Sequence, residues 1–105
     1  MNIETEVLWL DEHRVVSLRE LVEFSGLREA ELLELVHSGV LPASERPGEG
    51  FHFSARVVTL ARTASRLRDD LELDTRAVGV VLKLLERVRD LEEEIARLRA
   101  QMPQG

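Results

Sequence analysis

SLRELVEFSGLREAELLELVHSG, residues 17–39, is the stretch that decides the fold. Ser17-Leu18-Arg19-Glu20 has the form of a capping box, in which the serine caps the first free amides and Glu20 reaches back to the cap. Leu18, Leu21, Val22 and Phe24 follow at the spacing of a short amphipathic helix. Ser25-Gly26 breaks that pattern, and a second helix runs from about Arg28 to Ser38, where Gly39 stops it. Two short helices joined by a tight glycine-containing turn are a helix-turn-helix signature. A plain helical hairpin has the same signature, so the flanking sequence has to decide between them.

Downstream, Leu41-Pro42 leads into the turn-forming run Ala43-Ser44-Glu45-Arg46-Pro47-Gly48-Glu49-Gly50 and then Phe51-His52-Phe53. Phe51 and Phe53 fall on one side of a strand and His52 on the other. This predicts a two-stranded wing behind the helix-turn-helix. Ser54 is a suitable cap for a third helix to about Leu71, with Val57, Val58, Leu60, Ala61, Ala64 and Leu67 as its apolar spine. Arg56, Arg62, Arg66 and Arg68 give that helix a basic face, which reads as solvated or internally paired ahead of a nucleic-acid patch. Asp74 caps a fourth helix of about 74–102, stopped by Pro103. A helix that long spans roughly 43 Å, and a globule of this size has a radius of gyration of about 13 Å, so its end must project. Upstream, Val7-Leu8-Trp9-Leu10 reads as a short strand. The organisation expected is therefore a winged domain over 1–73, the long helix over 74–102 and a flexible tail over 103–105.

Composition narrows the function. The chain has 105 residues, a net charge of −6, 44% hydrophobic and 32% charged residues, and no cysteine. Disulfide frameworks, thiolate metal sites and a cysteine nucleophile are excluded. No basic-then-apolar leader or long apolar run is present, which makes a soluble cytoplasmic protein with no membrane partner the expectation. Residues 1–54 hold eleven acids against four bases, a balance of −7, whereas residues 55–105 balance at +1. Phosphate binding needs the opposite sign. His13, His37 and His52 are isolated from one another and read as ordinary histidines. Asp69-Asp70 and Glu92-Glu93-Glu94 read as solvated charges, and the Pro47–Gly50 stretch as an acidic turn instead of a phosphate loop. No catalytic residue, metal ligand or cofactor is expected.

The terminal helix has a heptad. Val81, Val88, Ile95 and Met102 take one set of positions, with Leu84, Leu91 and Leu98 in the other. β-Branched residues at a with leucine at d favour a two-stranded coil. In parallel register Arg87 meets Glu92 of a second copy and Glu94 meets Arg99, both attractive, although so short a run leaves strand direction open. The expected dimer interface is Val81, Leu84, Val88, Leu91, Ile95 and Leu98, against the alternative that the stripe folds back onto its own domain.

Taken in order, three stretches resemble the MerR-type winged-helix superfamily and, within it, the CbpM-like chaperone modulators. They are Ser25-Gly26-Leu27 with Glu31–Val36 and Gly39-Val40-Leu41, the wing Phe51-His52-Phe53, and Arg66-Leu67-Arg68 with Leu71 and Leu73-Asp74 running into the leucine-rich helix. The resemblance spans about Val15 to Met102 and implies a mainly α, MerR-like winged helix-turn-helix with a short β wing and a long C-terminal coiled-coil helix. DNA-binding members have an arginine and aromatic residues in the recognition helix and an arginine in the wing. Here the matching positions are Leu33, Glu34, Leu35 and Phe51. A glutamate repels phosphate and a leucine donates no hydrogen bond, so no sequence-specific DNA binding is expected.

What the resemblance implies is a non-enzymatic regulator that binds the J-domain of a CbpA/DnaJ-like co-chaperone, inhibits it and interferes with its DNA association. A MerR/HspR-like transcriptional regulator is the alternative, and a bare coiled-coil adaptor a third reading. J-domains of this kind present a basic helix to Hsp70, and an acidic surface would be drawn to it. On the second helix, Glu31, Glu34 and Leu35 are expected to form that surface, with Glu20 and Glu23 extending it from the first. The alternative is contact through the third and fourth helices.

Overall fold

Among residues 15–103, which a computed structural model describes, the elements run β1 (Val15–Ser17), α1 (Leu18–Ser25), α2 (Glu29–His37), β2 (Ser44–Arg46), β3 (Gly50–Ser54), α3 (Ala55–Leu71) and α4 (Thr75–Gln101). The expected Val7–Leu10 strand, Trp9, His13 and residues 104–105 lie outside the described residues.

Local chemistry fixes the helix ends. The Glu20 amide donates to Ser17 Oγ at 3.1 Å while Glu20 Oε1 accepts from the Ser17 amide at 3.0 Å, the reciprocal capping box. Gly26 ends α1 at φ +83°, and a Cβ there would stand 3.0 Å from Ser65 Oγ on α3, so glycine serves both the left-handed cap and the close approach. At the end of α2 the Val40 amide donates to the Leu35 carbonyl and the Gly39 amide to the Val36 carbonyl, the paired bonds of a Schellman stop. Asp74 caps α4 by accepting from the Ala77 amide at 2.8 Å.

The sheet differs from the expected two-stranded wing. Its order is β1-β3-β2, antiparallel throughout, with Val16 opposite Phe53 and Glu45 opposite Phe51. The turn between β2 and β3 places Pro47 and Gly48 at its centre, with Gly48 at φ +77° and the Glu49 amide on the Arg46 carbonyl. This is the type II arrangement that proline followed by glycine favours. The added strand β1 is three residues long, too short for its alternation to show in sequence. It earns its place through Val16, which is fully buried beside Phe53.

The core gathers Val16, Leu21, Leu32, Leu35, Leu41, Phe53, Val57, Val58, Ala61 and Ala64, closed at one end by Val78 and Leu82 of α4. Thus the first turns of α4 belong to the globular body. The rest of the helix projects, and the molecule measures 57 × 33 × 32 Å with a radius of gyration of 16.0 Å. No helix among the described residues is long and apolar enough to cross a membrane.

Candidate functional site

The acidic surface expected on α2 does not assemble as a unit. Glu31 is buried, at 5% exposure, and Leu35 is a core residue. The reason is geometric. Glu31 and Leu35 lie one turn apart on the same side of the helix, and Leu35 turns that side inward. Glu31 goes in with it, and one of its carboxylate oxygens takes three donors. Its Oε1 accepts from the Arg28 amide at 3.0 Å, from Arg28 Nε at 3.2 Å and from Arg68 of α3 at 2.6 Å. Arg68 also donates to the Gly26 carbonyl and Ser65 Oγ, tying the α1–α2 turn to α3. Burial pushes the Glu31 carboxyl up, but the hydrogen bonds from Arg28 and the charges of Arg68 and Arg28 outweigh it, so it sits below the ordinary glutamate value. Glu31 and Leu35 hold the domain together from within.

The remaining acids separate. Glu34 is exposed and lines a groove between α2 and α4, with His37, Ser38 and Val40 on its own side and Arg76, Val80 and Lys83 opposite. Glu23 is exposed at a different place, a cleft between α1 and α3 shared with Phe24, Arg62 and Arg66. Glu20 is half-buried and committed to the Ser17 cap. Outward, α2 carries more acid than base, with His37 exposed in its last turn and Arg28 exposed at its cap. Glu29 and Glu34 are exposed, and the helix contains no lysine or arginine. The side chains that chemistry at a metal would require are also apart. His37 packs edge-on against Phe51, His52 Nδ1 lies 3.2 Å from the Gly50 carbonyl, and no group of three potential ligands occurs among the described residues.

Along α4, Val81 is half-buried, while Leu84, Val88, Leu91, Ile95, Leu98 and Met102 are exposed, from 40% at Leu91 to 64% at Met102. Residues 16–100 match the model of the family described as MerR HTH family regulatory protein. The chain is a CbpM-like member of the MerR family. It is 34% identical to the chaperone modulatory protein CbpM of Salmonella arizonae over 82 residues, 78% of this chain and 81% of that protein. Against the CbpM of Pseudomonas putida it is 29% identical over 83% of this chain and 86% of the relative. Against that of Salmonella paratyphi B it is 35% identical over 74% and 77%.

Within this MerR-type frame the expected departures take on definite positions. At the recognition-helix positions Leu33 is half-buried, Glu34 points to solvent and Leu35 fills the core; Phe51 of the wing packs against Phe53 and His37. Two residues with large structural roles were not legible as such in the sequence. Arg68 reads there as one of four bases on a helix face. Gly79 carries no motif, yet a Cβ on it would stand 3.3 Å from Val40 Cγ2 and 3.4 Å from Leu35 Cδ2, so it sets how closely α4 approaches α2. Neither has a local signal, since each answers to a partner distant in sequence.

Proposed function

We propose that this protein is a non-enzymatic chaperone modulator that binds the J-domain of a CbpA/DnaJ-like co-chaperone. Binding holds the J-domain away from productive engagement with Hsp70 and interferes with the co-chaperone's own DNA association. The CbpM relatives, which are named as chaperone modulators, support the role. The observation that carries the reading is the outward face of α2, where Glu29 and Glu34 are exposed and no lysine or arginine lies within the helix. A basic helix is attracted to such a face, and a phosphate backbone is repelled by it. The DNA-binding alternative needs cations on this helix. Contact is assigned to Glu34, with Glu23 and Glu20 contributing through their field from α1. Two copies pair through Val81, Leu84, Val88, Leu91, Ile95 and Leu98, a seam that presents two binding domains at once.

Calorimetric titration of the cognate J-domain tests this. The Glu23→Lys/Glu34→Lys double variant changes exposed residues only, so the fold is retained. Its affinity should fall more than tenfold, about 1.4 kcal/mol, and parent binding should weaken as salt rises. Binding equal to the parent's would remove α1 and α2 from the interface and leave α3 and α4 as the contact.

A further inference from the structure

The groove between α2 and α4 has a rim opposite in sign to the outward face of α2. Arg76, Val80 and Lys83 follow at intervals of four and three residues on one side of α4. All three are exposed, Val80 by 56%. The two cations stand about 10 Å apart along the helix, bracketing the aliphatic side chain. Val40, nearly buried, forms the floor, and the groove encloses about 480 Å³. Lys83 Nζ reaches the Ser38 carbonyl at 3.4 Å, which holds it over the groove, while Arg76 makes no ion pair among the described residues. Among the described residues Glu34 is the one acid lining it. Val80 stands one heptad before Arg87, at the flank of the seam that begins at Val81 and not among the seam residues themselves.

We propose that this groove seats a segment of a partner protein in which a carboxylate side chain adjoins an aliphatic one. The aliphatic group covers Val40 and Val80, removing the exposed valine from water. The carboxylate sits between Arg76 and Lys83, where a planar guanidinium and a mobile ammonium both reach it. Glu34 on the opposite wall repels an acid and accepts a base, so the segment enters in one orientation. The proposal shares Glu34 with the J-domain reading but does not rest on it, because its contact is the cationic α4 side and its ligand has the opposite charge.

The test is an NMR titration of the ¹⁵N-labelled full chain with a blocked peptide of alternating aspartate and leucine, and with its lysine–leucine counterpart. The acidic peptide should shift amides over residues 34–40 and 76–83, bind more tightly than the basic one, and lose at least tenfold in affinity with Arg76→Glu/Lys83→Glu. Shifts centred elsewhere, equal binding of the two peptides, or indifference to the double reversal would overturn it. Groove amides that shift when the free protein is diluted would also overturn it, because the occupant would then be a second copy of this chain.

Discussion

The two ends of α4 carry apolar residues at helical spacing, yet one end is sealed and the other bare. Near the start, Val78, Gly79 and Leu82 are buried against α2 and α3. From Leu84 onward the apolar side chains face water. The buried residues are not the ones on the heptad. Val78 and Leu82 form their own short stripe, displaced around the helix from Val81, Leu84 and Val88. A helix that already uses one face to close its domain has no need to fold the heptad back, and its projection carries that face away from the body. Periodicity thus identified what is apolar on α4; the tertiary fold decided which apolar face was taken.

The comparison is sharpest at Leu82 and Leu98. Leu82→Ala removes a fully packed side chain and leaves a cavity, which should cost about 2–5 kcal/mol in denaturant unfolding. Leu98→Ala in dilute solution should stay within about 0.5 kcal/mol of the parent. Equal effects would mean that the projecting half contributes to the domain's own stability, and the contrast would break.

A second test concerns what covers the bare half. Leu91→Lys places a charge in the middle of the seam and withdraws about 1.5–3 kcal/mol of burial from each helix of a pair. Light scattering at tens of micromolar should report a dimer for the parent and a monomer for the variant, with the same unfolding midpoint for both at high dilution. A monomeric parent would sink the pairing through Val81–Leu98. A variant that also lost domain stability would show the seam serving its own body.

Where structural information is contiguous, it could be read directly. The Ser17–Glu20 box, the Gly39 stop and the Asp74 cap all involve residues within one or two turns of each other, and each stands where the sequence placed it; Ser54 takes the N-cap position of α3, but its side chain makes no capping hydrogen bond. Strand β1 was missed because its pairing partner, β3, lies far along the chain and its own three residues hold a single inward side chain. The candidate site was less legible for the same reason. A helical wheel puts Glu31 beside Leu35 correctly but does not say which way that side faces. The cation that lets Glu31 face inward, Arg68, is 37 residues away.

Glu31 and Glu34 repeat the α4 contrast within a single turn, and they provide the finest test of it. Glu31→Gln keeps the shape and one acceptor for the Arg28 amide but leaves Arg68 facing a neutral group. Unfolding should become easier by about 1–2 kcal/mol, while Glu34→Gln should move stability by less than about 0.5 kcal/mol. The pH dependence separates an ion pair from packing. The folded-state value of Glu31 lies below its ordinary 4.5, so the folded protein binds this proton less readily than the unfolded chain. Its contribution is therefore complete above the unfolded value and is lost as pH falls through the folded one. Parent and Glu34→Gln should both lose stability on acidification below about pH 5, and Glu31→Gln should lose less over the same range. An acid limb unchanged by Glu31→Gln would mean that its charge contributes nothing to stability. Its burial would then be a matter of hydrogen bonding alone, and the distinction between the inner and outer glutamates would reduce to shape.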